Sequence, residues 1–431
     1  MTEAASISAG KTVAARFGRW WQLSLGVVCM SMIANLQYGW TLFVNPIHDT
    51  HGWSLSAIQV AFTVFVLVET WLVPIEGYLV DRIGPRFVGL AAGILVASSW
   101  VINSAAQSLA VLYLGAAVGG IGAGAVYGAC VGNALKWFPD RRGLAAGITA
   151  MGFGAGSALT VFPIANMIRS QGYEATFFKF GIAQGAVVFL VSWFLEAPDA
   201  AFASSHSTPV RGTTVVRDRE YTPIEMLHSS AFWVMFAMFA LTATGGLIAT
   251  AQLTPIAKDF GVAESPVSLF GVTLLALPFA LSMNRVLNGV SRPFFGWVSD
   301  HLGREQTMMI AFTIEGVVIL MLSQFGANPM LFVLLTALVF FAYGEIYSLF
   351  PAICADAYGR RFASANAGLL YVAKGVASML VPLSSVIGAT SAGWRGVFYV
   401  AAAMNFAAAL LAIFVLRPMR SRVDQPVVVA A

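Results

Sequence analysis

The chain has 431 residues, of which 58% are hydrophobic and only 10% are charged. Soluble globular proteins carry about a quarter charged residues, so this composition excludes water as the main solvent of the chain. The net charge is only +4, and the positions of the charges are therefore more informative than their sum. We expect an integral membrane protein whose main partner is the lipid bilayer.

Apolar runs long enough to cross a bilayer as a helix recur along the whole chain, since about 20 residues span the hydrocarbon core. The first run lacks a clear small-residue cleavage site and is expected to be a retained helix. The runs predict an all-α membrane protein of twelve spans, numbered in chain order: 20–44, 56–80, 86–107, 109–135, 143–168, 175–196, 230–255, 267–297, 306–326, 330–356, 364–389 and 394–417.

The loop charges predict the orientation, because Lys and Arg are retained in cytoplasmic loops near helix ends. With the N terminus inside, only Arg169, Lys258 and Arg395 among the loop cations lie outside. We therefore predict a multi-pass protein of the cytoplasmic (inner) membrane with both termini in the cytoplasm. The predicted units are a segment 1–19, a six-helix bundle 20–196, a cytoplasmic loop 197–229, a second bundle 230–417 and a tail 418–431.

Several kinds of chemistry find no support in the sequence. Cys29, Cys130 and Cys354 lie singly in three apolar runs, without the spacing that metal or disulfide sites need, and are interpreted as packing residues. Because no Gly-rich phosphate loop followed by Lys occurs, an ATP-driven pump is disfavoured. We expect no metal, no cofactor and no enzymatic activity. The energy for the protein's work should come from solute gradients.

Two halves of the chain repeat at a fixed offset. Asp81 after span 2 and Asp300 after span 8 are 219 residues apart, and the pair Arg141-Arg142 recurs as Arg360-Arg361 at the same offset. A parallel repeat of six spans predicts two six-helix bundles related by a pseudo-twofold axis along the membrane normal.

The loops after spans 2 and 8 share a pattern of Gly, Asp, Arg and Gly that resembles the loop signature of the major facilitator superfamily. Gly lets helix ends approach closely, and Asp and Arg can cap or pair across them, so we expect a gate at the cytoplasmic side. A merely topogenic basic loop is the alternative. The residues of the predicted gate are Gly77, Asp81, Arg82, Gly84 and Arg86 in the first half, and Gly296, Asp300, Gly303 and Arg304 in the second.

Two cations stand inside predicted spans, where a charge costs several kcal/mol and usually faces a cavity with a partner. Arg292 lies in span 8 and Lys374 in span 11, and Val73 and Ala155 occupy the equivalent positions of the first half. Two fixed cations suit a small dicarboxylate, since Arg binds a carboxylate bidentately and Lys acts as a point charge. Two uncompensated cations would also resist closure around an empty site, which favours exchange.

The sequence also closely resembles the oxalate:formate antiporter family within that superfamily. Matching stretches include Gln37-Tyr38-x-Trp40, Asn288-Gly289 with Arg292-Pro293, and Ala373-Lys374. The resemblance implies exchange of oxalate for formate, with Arg292 and Lys374 as the cations that bind substrate. Phe153 stands where the family has Tyr, and Tyr343 and Tyr371 where it has Trp. The implied aromatic cage and its polar contact are Tyr38, Tyr127, Phe153, Tyr343, Tyr347, Tyr371 and Gln37.

Further charges lie within the spans. We predict a structural ion pair between Arg285 and Glu345, with proton coupling by Glu345 as the alternative. Glu69, Lys179 and Glu315 are interpreted as paired or snorkelling charges, with proton coupling as the alternative.

The favoured function is a monomeric carrier that exchanges oxalate, formate or related small anions and has no nucleic-acid partner. A proton-coupled monocarboxylate symporter for lactate or pyruvate is one alternative, and a non-transporting membrane sensor is another.

Overall fold

The computed structural model describes residues 18–199, 220–269, 271–388 and 393–423. All regular secondary structure of the first half in the described residues is helical. Its helices are α1 (Arg19–Tyr38), α2 (Thr41–His51), α3 (Leu55–Trp71), α4 (Val73–Ile83), α5 (Pro85–Ser104), α6 (Leu109–Trp137), α7 (Arg142–Gln171) and α8 (Tyr173–Ser192).

The second half repeats this arrangement after a short helix, α9 (Pro223–Leu227), that precedes span 7. A π-helical turn, Leu411–Leu416, joins its last two helices. The remaining helices are α10 (Ser230–Asp259), α11 (Ala276–Leu302), α12 (Arg304–Phe325), α13 (Pro329–Tyr343), α14 (Ile346–Tyr358), α15 (Ala363–Gly388), α16 (Gly393–Leu410) and α17 (Arg417–Val423).

Spans 1, 2 and 10 are each made of two helices. The axes of α1 and α2 differ by 44°, and those of α3 and α4 by 43°. Leu72 separates α3 from α4, where Pro74 has no N–H to continue the hydrogen-bond ladder. Gly344 and Glu345 separate α13 from α14. These breaks place irregular backbone inside the bundle.

The length and composition of the helices agree with a membrane protein. In the described residues eight stretches are long and apolar enough to cross a membrane, and the two bent pairs raise the number to ten. The other two of the twelve spans are α11 and α15, of 27 and 26 residues. These two helices carry Arg285, Arg292 and Lys374.

The start of span 8 differs from the prediction. Pro266–Leu269 and Val272–Leu275 form a two-stranded antiparallel hairpin, β1 and β2, with Pro266 opposite Leu275. Span 8 therefore begins at Ala276 and not at 267. A short apolar run looks the same to hydropathy whether it is a strand or the first turn of a helix, which explains the error.

The predicted bundle limits can be compared with the helices only in part. The last helix continues past 417 to Val423, and α9 lies within the predicted loop 197–229. The end of that loop is fastened to the second half, since the Tyr221 amide donates to Tyr358 O at 3.0 Å. Residues 1–17, 200–219 and 424–431, which contain most of the predicted terminal segments and central loop, lie outside the described residues.

The two halves meet along two equivalent helix pairs, α7 with α11 and α4 with α15. A Cβ added to Gly296 would collide with the backbone of Gly143, and one added to Gly77 would collide with Ser364 O. Absence of a side chain is thus required for this contact. These glycines lie towards the helix ends that the charge pattern predicts to be cytoplasmic, called here the predicted cytoplasmic end.

Candidate functional site: buried cations between the two halves

Arg292 is buried at the contact between the halves, with a side chain only 1% exposed. It lies about 15 Å along α11 from the predicted cytoplasmic end, at a rise of 1.5 Å per residue. Its Nη1 donates to Ala150 O of α7 at 2.7 Å, and its Nη2 donates to Asn288 Oδ1 at 2.7 Å. Its Nε has no partner, and no carboxylate in the described residues pairs with it. The guanidinium therefore keeps its positive charge available to an anion.

Lys374 is buried to the same degree but is compensated. Its Nζ donates to Tyr371 OH at 2.7 Å and to Glu69 Oε2 at 3.3 Å. Glu69 comes from α3 in the other half and is fully buried. The expectation of two uncompensated cations is therefore wrong for Lys374 in this structure, because a carboxylate of span 2 reaches across the contact. The pair agrees with the interpretation of Glu69 from the sequence as a paired charge.

One aromatic ring, that of Tyr347 in α14, lies beside both cations. The Arg292 Cζ is 4.2 Å from the ring centroid, and the Lys374 Nζ is 5.8 Å from it. A cation over a ring face is attracted by the ring quadrupole. The Tyr347 ring is thus a wall that both cationic groups share.

The other rings implied by the family resemblance form a connected group around this wall. The hydroxyls of Tyr343 and Tyr347 are 2.9 Å apart, and the Tyr371 ring is stacked on that of Tyr127 at 4.4 Å. In the first half, Tyr38 contacts Phe153 edge-on, with centroids 5.2 Å apart. The structure therefore brings helices from both bundles together around one aromatic enclosure.

Buried polar atoms without partners remain at this enclosure and next to it. They include Tyr127 OH, Arg292 Nε and Gln37 Oε1. Nearly all buried polar groups in proteins are hydrogen-bonded, so a polar ligand or water can bond to these atoms. The atoms include donors suited to an anion.

Arg285 and Glu345 do not form the predicted ion pair. The Arg285 guanidinium lies 4.3 Å from the centroid of the Tyr38 ring in the first half. Glu345 is fully buried at the break between α13 and α14, and neither of its oxygens has a hydrogen-bond partner among the described residues. The prediction is wrong because Arg285 is turned towards the other half, whereas Glu345 stays inside its own bundle.

Sequence reasoning missed one intramembrane carboxylate, Glu76 of α4. It is 6% exposed, and neither oxygen has a hydrogen-bond partner in the described residues. Its position inside predicted span 2 was a sufficient signal. Glu315 of α12 is likewise fully buried, and neither of its oxygens has a partner there.

The two signature aspartates occupy equivalent places at the predicted cytoplasmic end. Asp81 accepts hydrogen bonds from the Ser364 and Ala365 amides at 3.3 and 2.9 Å. Asp300 accepts from the Gly143 and Leu144 amides at 3.0 and 2.8 Å.

Each aspartate therefore caps the first turn of a helix that belongs to the other half, α15 or α7. A carboxylate at a helix N terminus is stabilising because it satisfies free amides and complements the helix dipole. The next helices in each half begin after Gly84 and Gly303, whose φ values of 93° and 104° suit glycine.

The arginines of the predicted gate behave differently from one another. Arg304 donates to Asp300 Oδ1 at 2.5 Å and to Asp356 Oδ2 at 2.8 Å. Asp356, which sequence reasoning missed, also accepts from Arg142 of the first half at 2.6 Å. Arg82 lies 5.8 Å from the centroid of the Tyr78 ring.

Arg86 pairs with Glu196, a residue of its own half. In the described residues, therefore, Asp81, Asp300 and the Arg142–Asp356 pair join the halves, and contacts of Arg82 and Arg86 stay within one half.

Comparison with known proteins was consistent along the whole chain. The family model described as Major Facilitator Superfamily matches residues 23–289 and 235–428. The oxalate:formate antiporter of Oxalobacter formigenes is 33% identical over 410 residues, which is 94% of each chain. An uncharacterized 38 kDa protein of Thermoproteus tenax is 30% identical over 365 residues, or 84% of this chain and 86% of that protein.

Solved structures agree in fold. A proton:xylose symporter bound to 6-bromo-6-deoxy-D-glucose superimposes with a TM-score of 0.67 at 12% identity, over 93% of this chain and 96% of the symporter. The transporter FucP in its outward conformation gives a TM-score of 0.67 at 13% identity, over 91% and 98% of the two chains. At such identities the likeness concerns the fold alone.

Proposed function

Because the chain belongs to the major facilitator superfamily and, within it, to the oxalate:formate antiporter family, we propose that this transporter exchanges oxalate for formate or closely related small carboxylates. The observation that carries the proposal is Arg292, a guanidinium that is buried between the two halves and pairs with no carboxylate in the part of the chain that the structure describes. The family consists of transporters and not enzymes, so this charge serves binding and translocation.

The chemistry of Arg292 suits a carboxylate. Ala150 O and Asn288 Oδ1 take one hydrogen each from the two terminal nitrogens and fix the plane of the guanidinium. The Nε–H and the second hydrogens of the terminal nitrogens remain available, which is enough for a bidentate bond to one carboxylate. The Tyr347 ring beside the guanidinium excludes water from it and so strengthens the attraction.

Lys374 is the natural partner for a second carboxylate. It lies beside the same Tyr347 ring, and its hydrogen bond to Tyr371 OH supplies a hydroxyl to the same place. Oxalate has two carboxylates that are bonded directly to each other, whereas formate has a single carboxylate. A site with one free cation and one cation held by Glu69 accommodates both anions in different ways.

The arrangement of interactions between the halves supports alternating access. In the described residues the hydrogen bonds between the halves lie at the depth of Arg292 and Lys374 or at the predicted cytoplasmic end. These bonds, together with the burial of both cations, support a state in which the route from the predicted cytoplasmic end is closed. Breaking the caps at Asp81 and Asp300 would let one half rock against the other.

Exchange follows from the cost of an empty site. Arg292 without an anion is a desolvated charge, and a buried unpaired charge opposes the closed intermediate through which the carrier must pass. A bound carboxylate removes this penalty. A loaded carrier therefore reorients readily in both directions, and an empty one does not. A cytoplasmic membrane location with both termini inside completes the proposal.

Purified protein in proteoliposomes tests the exchange directly. Uptake of labelled oxalate should require formate or oxalate inside the vesicle and should be abolished by Arg292→Ala. Oxalate uptake into vesicles without internal carboxylate, driven by an imposed pH gradient, would contradict exchange. That result would favour a proton-coupled symporter, which the buried carboxylates Glu69, Glu315 and Glu345 make the second candidate.

A further inference from the structure

A stacked pair of aromatic rings joins the two halves at the predicted cytoplasmic end. The rings of Tyr78 in α4 and Phe362, which directly precedes α15, have centroids 6.5 Å apart and planes inclined by only 3°. Each ring lies beside an arginine of its own half. The Arg82 Cζ is 5.8 Å from the Tyr78 centroid, and the Arg361 Cζ is 5.3 Å from the Phe362 centroid. Two guanidinium groups from different halves therefore flank one ring pair.

Both arginines are exposed, and neither guanidinium pairs with a carboxylate in the part of the chain that the structure describes. The neighbouring carboxylates have other partners. Asp81 bonds Lys136 and amides of α15, and Glu220 accepts from the backbone amide of Arg361 at 2.8 Å. The closed predicted cytoplasmic end thus presents two positive charges that no ion pair neutralises.

The surface of α4 beside the ring pair is apolar and exposed. Ile75, Leu79 and Ile83 follow one another at four-residue spacing on one face of the helix, with exposed fractions of 61%, 44% and 53%. In a membrane such a face contacts acyl chains, and aromatic and basic residues at the helix end lie at the level of the headgroups. An apolar face that leads to two guanidinium groups fits a lipid with a negative headgroup better than a soluble anion.

We propose that Tyr78, Arg82, Arg361 and Phe362, called here the lipid site, bind the phosphate of one anionic phospholipid and so hold the two halves together at the predicted cytoplasmic end. Guanidinium groups bind phosphate through charge-assisted hydrogen bonds, and basic pockets between spans on the cytoplasmic side bind anionic headgroups in this way. The proposal goes beyond the exchange of carboxylates, because it concerns the state of the carrier and holds whichever anion is carried.

The equivalent junction in the other part of the repeat lacks this chemistry. At the offset of 219 residues Arg82 corresponds to His301, so the fixed charge of an arginine is missing there. Arg361 corresponds to Arg142, which is 1% exposed and bonds Asp356. One junction is therefore closed by an ion pair inside the protein, whereas the other leaves two arginines to a partner from the membrane.

The lipid favours the closed state because both guanidinium groups reach one headgroup only while the ring pair is stacked. When the halves separate, Arg82 and Arg361 move apart, and a headgroup keeps at most one of them. A ligand that binds one state better shifts the population towards that state. Since the contact of one arginine with an anionic lipid changes a binding constant about fivefold, the shift is large enough to measure.

Full-length protein in lipid nanodiscs tests the effect. A thiol introduced by Ser364→Cys, in a background without the native cysteines, reports opening because position 364 is 1% exposed. Labelling should be at least about threefold slower in discs that contain phosphatidylglycerol than in discs of phosphatidylcholine alone. In Arg82→Gln/Arg361→Gln the rate should be the same in both discs, and each single variant should keep part of the difference.

Arg141→Gln/Arg417→Gln is the matched control, because it removes one exposed arginine from each half without touching the ring pair. It should keep the native lipid effect. Native mass spectrometry should show one phosphatidylglycerol retained by the native protein and at least about tenfold weaker retention by Arg82→Gln/Arg361→Gln. Equal labelling of the native protein in both discs would overturn the proposal. So would an equal slowing by inorganic phosphate in phosphatidylcholine discs, which would make the ligand a soluble anion. Neither readout measures transport, so failure of oxalate exchange would leave the lipid site standing.

Discussion

Asp81 and Asp300 occupy equivalent positions of the two halves, and each caps a helix that belongs to the other half. This exchange of caps makes the closed predicted cytoplasmic end symmetric, although the cations at the binding site are not. The same contacts that satisfy helix termini in one state must be broken in the other. Their strength therefore sets how readily the carrier opens at this end.

We expect Asp81→Asn to open the predicted cytoplasmic end more often. The amide keeps one acceptor oxygen but loses the charge that binds the α15 terminus and Lys136. A charged hydrogen bond contributes about 1.5–3 kcal/mol, of which the amide keeps part, so a loss of about 1–2 kcal/mol raises the open population roughly five- to thirtyfold. The open population can be measured by the labelling rate of a thiol introduced by Ser364→Cys in a background without the native cysteines.

The control for that experiment is Glu196→Gln, which breaks the pair with Arg86 inside the first half. It should leave the labelling rate unchanged. Equal rates in the native and Asp81→Asn backgrounds would show that the cap does not hold the gate.

Arg292→Lys should lose most exchange although it keeps the charge. Lysine cannot reproduce the fixed plane set by Ala150 O and Asn288 Oδ1, nor a bidentate bond to a carboxylate. We expect initial exchange rates at least about tenfold lower, with unchanged membrane insertion and monodispersity, because one bidentate charged bond is worth more than about 1.4 kcal/mol. Native rates in Arg292→Lys would mean that the carboxylate binds elsewhere.

The sequence predicts which residues belong to the site better than it predicts which of their side chains pair with each other. Charges within apolar runs are costly, so Arg292 and Lys374 are conspicuous, and the 219-residue repeat identifies Asp81 and Asp300 as equivalent residues. Which side chain on one helix meets which on another depends on rotation and tilt that no single helix specifies. The Glu69–Lys374 pair was therefore not identified.

The incorrect pair shows the same limit. Spacing along α11 places Arg285 near the face of Arg292, but it does not say which bundle faces Arg285. The structure turns Arg285 to Tyr38, and Glu345 stays buried inside its own bundle. Periodicity also gave no means to separate the hairpin Pro266–Leu275 from a helix start.

Arg285 and Glu345 should behave independently in a double-mutant cycle. Because no ion pair joins them, the losses in unfolding free energy from Arg285→Ala and Glu345→Ala should add within about 0.5 kcal/mol. Arg285→Ala and Tyr38→Ala should instead show a coupling of about 0.5–2 kcal/mol, as expected of a cation over a ring. Thermal unfolding of the purified variants provides the measurement. Recovery of stability in the Arg285/Glu345 double variant would show that the two residues do form an ion pair.

Lys374 and Glu69 should separate stability from transport. Lys374→Met removes the positive partner of a fully buried carboxylate, and breaking such a pair costs about 3–5 kcal/mol. The double variant Lys374→Met/Glu69→Leu leaves no unpaired charge at this place, so its melting temperature should return towards the native value. Oxalate exchange should stay absent in both, because neither retains the cation for the second carboxylate. A double variant that is as unstable as Lys374→Met would indicate that Lys374 stabilises the protein through contacts other than Glu69, and one that exchanges oxalate at the native rate would remove Lys374 from the binding site.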